Sequence, residues 1–186
     1  MNFDEILDAN AEFAKAFQSS DLTGRAAQGL AIVTCMDSRI DPLRVVGMKP
    51  GDAKILRNAG ARVTEDVLRT LVLATHLLNV SRILVMPHTD CRMASGTEDQ
   101  VHEAIKSASG IDTRSIEIRT VTDQKSALEV DVLRIKAFPF LPKEIEVMGA
   151  IYDVRSGKLQ KILLSSLTIR SCGIVYLGAM SANLAK

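Results

Sequence analysis

Two periodicities alternate along this chain, and together they predict an α/β protein. Phe3, Ile6, Leu7, Phe13 and Phe17 recur mostly at intervals of three and four, the signature of an amphipathic first helix within Met1–Phe17. Gly24 and Gly29 flank a loop leading into Leu30-Ala31-Ile32-Val33-Thr34, an apolar run rich in β-branched residues that predicts a core strand over about 30–35. Asp41-Pro42 starts a short helix through Val46, Lys49-Pro50-Gly51-Asp52 is a turn, and Ala53-Lys54-Ile55-Leu56 is a second short strand ending in Arg57-Asn58-Ala59-Gly60. Thr64 can cap a helix running to Leu78, with Glu65 and Asp66 in its first turn and Val67, Leu71, Ala74 and Leu78 along one face. A third strand covers roughly 81–87. Helices are expected over Glu98–Ser107 and Thr122–Ala137, the latter ended by Pro139. Glu146–Val154 reads as a late strand, and Ser156-Gly157 as a turn into a last strand near 158–164.

Strands alternating with helices imply a mostly parallel central β-sheet flanked by helices, in a single domain with an extended N-terminal helix. The whole chain, 1–186, reads as that one domain, with a core of about 28–160 and an appended apolar tail over 161–186. The tail holds Ile162, Leu163, Leu164, Leu167, Ile169, Ile174, Val175, Tyr176 and Leu177 and has no acidic residue after Lys161. Arg170 interrupts it, and the apolar runs on either side are too short to span a bilayer, so no membrane association is expected.

Composition narrows the function. Apolar residues make up 47% and charged residues 24%, a globular balance, and the net charge of +1 provides no field for nucleic acid or an anionic membrane. Five Phe, two Tyr and no Trp leave little for base stacking. Three cysteines, an odd number, behind an N-terminus unlike a secretory leader point to reduced thiols and a cytoplasmic protein.

Two short signatures carry chemistry. Cys35-Met36-Asp37-Ser38-Arg39 follows the first core strand, and His88-Thr89-Asp90-Cys91 follows Ile83-Leu84-Val85-Met86. Ligands of open α/β sheets bind at the carboxyl ends of the strands. Two thiolates and an imidazole delivered there form a Cys₂His zinc site with one position left open, the pattern of a catalytic rather than a structural metal. His88 and Cys91 can come from one loop; Cys35 requires its strand to lie beside theirs. Singly, a buried strand-end Cys is a small core residue and a lone His a surface or capping group. Asp37 and Arg39, at i and i+2, can form a bidentate pair. A carboxylate so near a metal either orients a metal-bound water or takes the fourth position itself. Gly60 can adopt a positive φ, and with Asn58 it is a candidate for shaping the cleft. His76 and His102 fall on predicted helices as secondary proton-relay candidates, and Cys172 reads as an ordinary packed thiol.

Cys-x-Asp-Ser-Arg, Arg57-Asn58-Ala59-Gly60 and His-x-x-Cys, in this order and at these intervals, resemble the β-class carbonic anhydrases, and most closely the short bacterial type. The resemblance runs from about residue 30 to the Gly149–Lys158 region. It implies one Zn²⁺ per chain on Cys35, His88 and Cys91, with Asp37 and Arg39 as the catalytic pair. The activity implied is reversible hydration of CO₂ to bicarbonate by metal-bound hydroxide. It also implies a homodimer or higher homo-oligomer in which the first helix embraces a neighbouring subunit. Two alternatives stand beside it: hydrolysis of carbonyl sulfide or carbon disulfide on the same fold, and a catalytically silent zinc-binding module. One position departs from the family pattern. Arg92 stands where a glycine usually follows His-x-x-Cys, so it either points outward or alters the cleft.

Overall fold

The computed structural model describes residues 3–163. Five strands form one sheet in the order β2-β1-β3-β4-β5, where β1 is Leu30–Cys35, β2 Ala53–Asn58, β3 Arg82–Met86, β4 Glu146–Tyr152 and β5 Leu159–Ile162. All neighbouring pairs are parallel except β4 and β5, which run antiparallel through the tight 153–158 connection. The helices are α1 (Phe3–Lys15), α2 (Pro42–Val45), α3 (Glu65–Leu77), α4 (Glu98–Ser109) and α5 (Gln124–Lys136).

Local chemistry accounts for the helix ends. Asp41, Thr64, Thr97 and Asp123 each accept a backbone N–H of the first turn, at α2, α3, α4 and α5 respectively, satisfying donors a helix start leaves open. Thr97 and Gln100 complete a reciprocal capping box, and Gly110 closes α4 in the left-handed conformation (φ 75°). Observed elements match those expected from periodicity to within a few residues. β2 runs longer than expected, continuing through Arg57 and Asn58 because the ladder with β1 pairs Cys35 with Asn58. Two 3₁₀ turns, Ala59–Ala61 and Arg92–Ala94, are additions that periodicity did not reveal.

The alternation of side chains on β1 and β3 sends residues to two apolar clusters. Ala31, Val33, Ile83 and Val85 pack with α3 and α5 through Val67, Leu71, Leu128, Val132 and Ile135. Ile32, Leu84, Met86 and Ala150 face the other way, with Ile40, Met93 and both Cys35 and Cys91. Every residue of β1 is buried, as expected of a central strand in a parallel sheet. Because β1 lies between β2 and β3, its C-terminal end and that of β3 are neighbours, and the two sequence signatures open side by side.

Gly149 sets the distance between α5 and β4. A Cβ there would stand 3.0 Å from Leu128 Cγ and 3.1 Å from Val132 Cγ2, both on buried residues. Gly149→Val is therefore expected to destabilise the fold by about 1–3 kcal/mol, the cost of overpacking a filled core. Urea unfolding followed by circular dichroism would measure it.

α1 contributes nothing to either cluster. None of its residues is buried, although Phe3, Ile6, Leu7 and Phe13 are large and apolar. Among the described residues no helix is long and apolar enough to cross a membrane. The expectations for the tail after Leu163, and for Cys172 with it, lie outside the described residues.

Candidate metal centre

Cys35 is the last residue of β1, and His88 and Cys91 follow β3 by two and five positions. Their ligand atoms, two Sγ and one imidazole nitrogen, all lie within 4.8 Å of one another, and the two sulfurs are 4.0 Å apart. All three residues are buried. Thr34 reinforces the junction: its hydroxyl donates to the Met86 carbonyl (2.8 Å) and ties the ends of β1 and β3 together.

His88 is oriented by its own loop. Nδ1 lies 2.8 Å from the Thr89 carbonyl oxygen, which can only accept, so Nδ1 carries a proton, and in that tautomer of the imidazole the lone pair is on Nε2. That Nε2 is fully buried and has no hydrogen-bond partner, alone in this respect among the side-chain nitrogens and oxygens of the described residues. A buried lone pair without a partner costs free energy unless something else occupies it. The Gln124 amide donates to the His88 carbonyl (2.6 Å), fixing the backbone of the same residue from α5.

Electrostatics point the same way. Burial, chiefly, pushes the Cys91 thiol up to about 11, and the neighbouring Cys35 adds to the rise. Two thiols crowded in an apolar pocket resist ionisation by themselves, whereas a divalent cation removes that penalty and binds the thiolate. The donor set, its spacing and the unpartnered nitrogen therefore fit a tetrahedral metal such as Zn²⁺.

Asp37 and Arg39 lie beside this group. The Arg39 side chain makes a fork on Asp37, Nε–H donating to Oδ1 (2.9 Å) and Nη2–H to Oδ2 (2.8 Å), and the Arg39 backbone N–H donates to Oδ1 as well (2.9 Å). Asp37 Oδ2 stands 3.7 Å from His88 Nε2, so the carboxylate faces the same space as the three ligand atoms. These bonds from Arg39 hold the Asp37 carboxyl well below the usual carboxylate range, against a smaller opposing effect of burial.

The remaining sequence candidates divide clearly. Asn58 spends its amide on Arg62, donating to the Arg62 carbonyl (2.7 Å) and accepting its backbone N–H (2.8 Å), which closes the 58–62 loop. Gly60 has φ 80°, and a Cβ there would meet Met93 Cβ at 3.1 Å. The glycine thus lets the Ala59–Ala61 turn seat directly on the turn that follows Cys91. Arg92 is exposed, has no left-handed backbone and donates weakly to Ser95 Oγ (3.4 Å), so it points outward and takes nothing from the backbone at Cys91. His102 is buried with Nδ1 2.8 Å from Thr113 Oγ1, and His76 Nε2 contacts the Phe140 carbonyl oxygen (2.9 Å).

Like Gln124, further residues take part through contacts that the sequence spacing did not reveal. Arg57, at the end of β2, donates to the carbonyls of Cys35 (2.9 Å), Asp37 (2.6 Å) and Ile40 (3.2 Å) and so fastens the loop that carries Asp37. Asp131 on α5, almost fully buried, pairs with Arg62 (2.7 Å) behind the Gly60 turn. Asp90 reaches Arg39 from the other ligand loop (2.8 Å).

A family model described as carbonic anhydrase matches residues 30–159, most of the chain and every site residue named above. The chain belongs to the β-carbonic anhydrase family. Beta-carbonic anhydrase 1 of Mycobacterium tuberculosis is 36% identical over 160 residues, spanning 86% of this chain and 96% of that protein. The crystal structure of a carbonic anhydrase from Streptococcus mutans superposes with a TM-score of 0.81 at 36% identity, over 88% of this chain and 99% of that one. A carbon disulfide hydrolase from an Acidianus strain is also similar, 28% identical over 71% of this chain and 76% of its own length. Membership places the chain among enzymes of the carbonic anhydrase (lyase) type, on the single α/β sheet described above.

Proposed function

We propose that this β-carbonic anhydrase family member is a zinc enzyme interconverting CO₂ and bicarbonate, with Cys35, His88 and Cys91 as metal ligands and Asp37 and Arg39 as the pair that serves the reaction. The observation that carries the reading is the buried, unpartnered His88 Nε2 converging with two thiols at the joined ends of β1 and β3. Zinc bound there supplies a water acidified to near neutrality, with a pKa of about 7, the established figure for zinc-bound water in carbonic anhydrase. The overall balance is CO₂ and water giving bicarbonate and one proton, which must reach solvent.

The chain's own residues supply position. Because Arg39 stabilises its ionised form so strongly, Asp37 is an acceptor and a poor base. It orients a water or hydroxide by accepting its hydrogen bond, and it keeps no proton. Arg57 and Arg39 hold the 35–40 loop so that this oxygen stays in place. His76 Nε2 is engaged by the Phe140 carbonyl oxygen and His102 Nδ1 by Thr113 Oγ1, so the reading assigns proton export to solvent and buffer.

The test is stopped-flow CO₂ hydration by zinc-loaded protein, run beside sulfide release from carbonyl sulfide and carbon disulfide. CO₂ turnover supports the proposal; sulfide release with negligible CO₂ turnover replaces it by the hydrolase reading. The relatives favour CO₂, since the mycobacterial carbonic anhydrase matches over nearly its full length and the disulfide hydrolase over three quarters of its own. A catalytically silent zinc module is disfavoured by the Asp37–Arg39 fork, which metal binding alone does not require.

The same reading includes a homodimer or larger homo-oligomer, located where thiols stay reduced, as in the cytoplasm. Its support is α1, where Phe3 is 84%, Leu7 66% and Phe13 62% exposed on one chain. A second copy covering that face would remove a large apolar patch from water. Deleting residues 1–17 is expected to shift the protein to a smaller species in size-exclusion chromatography with light scattering.

A further inference from the structure

We infer that Asp90 is a positioning residue for the reaction: by gripping Arg39 from the second ligand loop, it locks the fork that Arg39 presents to Asp37. The inference deepens the function proposed above and rests on it for the meaning of the Asp37–Arg39 pair, though not for the contact itself.

The geometry is specific. Arg39 Nη1–H donates to Asp90 Oδ2 (2.8 Å), and Arg39 Nη2–H donates to the Asp90 carbonyl oxygen (3.0 Å). The other two bonds from the same guanidinium go to Asp37. Both the side chain and the main chain of Asp90 therefore accept from Arg39, and Arg155 acts on the carboxylate more weakly, as a second cation that helps hold it ionised. Four donor contacts leave the Arg39 guanidinium little rotational freedom. Without Asp90, the Arg39 side chain, nearly half exposed, would be held only by a residue two positions away on its own loop. With it, the guanidinium bridges the loop after β1 to the loop after β3, the two that deliver the ligand atoms.

Stability does not explain this contact. Arg39 is 45% and Asp90 62% exposed at the side chain, and pairs so open to water contribute little to folding. Asp90 also holds a left-handed backbone, φ 55°, a conformation that disfavours side chains generally and that Asp tolerates better than most. A glycine would take that turn more easily but would offer only the carbonyl. The residue present supplies the turn and the carboxylate together. What the carboxylate adds is orientation: it fixes the plane of the fork, and the fork fixes which Asp37 oxygen faces the three ligand atoms.

The variant that isolates this role is Asp90→Gly, which keeps the left-handed turn and removes only the carboxylate; Asp90→Asn restores one acceptor oxygen. Two measurements on the full chain separate orientation from general damage. In ¹⁵N spectra of the arginine side chains, Arg39 Nε–H is expected to exchange with water about tenfold faster in Asp90→Gly than in the wild type, with Asp90→Asn between them. In CO₂ hydration by zinc-loaded protein, Asp90→Gly is expected to lower kcat about tenfold, the scale of losing a residue that supports a metal site, with KM nearly unchanged. In an Arg39→Ala background the same change is expected to cost no more than about twofold, because the residue through which Asp90 acts is gone. Unchanged Nε–H exchange in Asp90→Gly overturns the inference, and so does an equal loss of kcat with and without Arg39. If the wild type hydrates no CO₂, the proposed function fails, and the exchange measurement still decides whether Asp90 holds Arg39.

Discussion

If the proposed function holds, Cys91→Ser is expected to abolish zinc retention and, with it, essentially all CO₂ hydration. Zinc bound by a small site contributes on the order of 10–16 kcal/mol at neutral pH, so one ligand of three accounts for about 4 kcal/mol, roughly a 10³-fold loss of affinity. Serine cannot repair the loss, because its hydroxyl ionises far less readily than a thiol and is a harder donor than zinc favours in this set. The fold should survive: serine is smaller than cysteine, Cys91 lies in the loop after β3, and its backbone contacts to the Arg92–Ala94 turn are unchanged. The check is metal content after gel filtration, alongside far-ultraviolet circular dichroism and stopped-flow hydration. Stoichiometric zinc in a folded Cys91→Ser protein would remove Cys91 from the ligand set. His88→Ala tests the other end of that loop in the same way, with the added effect of a void at a fully buried side chain.

How much of this site could be seen in the sequence depends on the distance over which its contacts act. Cys35, His88 and Cys91 were legible because each follows an apolar run and sits where a strand must end; the sheet order that joins β1 to β3 then brings them together. The Asp37–Arg39 fork was legible too, since both partners lie on one loop two residues apart. The family resemblance rested on these same positions, and the family model spans them.

Contacts between distant segments left no such trace. Arg57 reaches carbonyls of the 35–40 loop only because β2 pairs with β1 in a register that sets Asn58 opposite Cys35. Nothing in Arg57-Asn58-Ala59-Gly60 itself says where that guanidinium goes. Gln124 and Asp131 reach the site from α5 across dozens of residues, and Asp90 reads in sequence simply as a spacer between two ligands. Gly60 shows the intermediate case. Its freedom to take a positive φ was foreseeable, but the reason it is needed, Met93 Cβ at 3.1 Å, belongs to packing. Arg92 was the reverse: a departure from the family pattern that the structure resolves by turning the side chain to solvent.

Asp37→Asn is the second large effect expected, and it separates chemistry from metal binding. Asparagine keeps the size of the side chain and one acceptor oxygen, but replaces the other oxygen with an NH₂ that cannot accept from Arg39. The fork then closes on one side only, and the charge that pairs with Arg39 is gone. Zinc should stay, because the three proposed ligands are untouched. CO₂ hydration should fall by about 10²-fold or more, the usual contribution of a positioned group that handles hydrogen bonds to the reacting water. Stopped-flow rates normalised to zinc content measure the effect. Loss of zinc along with activity would instead make Asp37 a metal ligand in the working enzyme, and an unchanged rate would leave the pair without a part in the reaction. Asp37 is also the point where site and fold meet: its carboxylate carries three bonds from Arg39, and its backbone carbonyl is held by Arg57. The substitution alters only the first of these, so the loop stays anchored to β2 while its charge is removed. A fall in turnover with the metal retained would then reflect the carboxylate itself rather than a displaced loop.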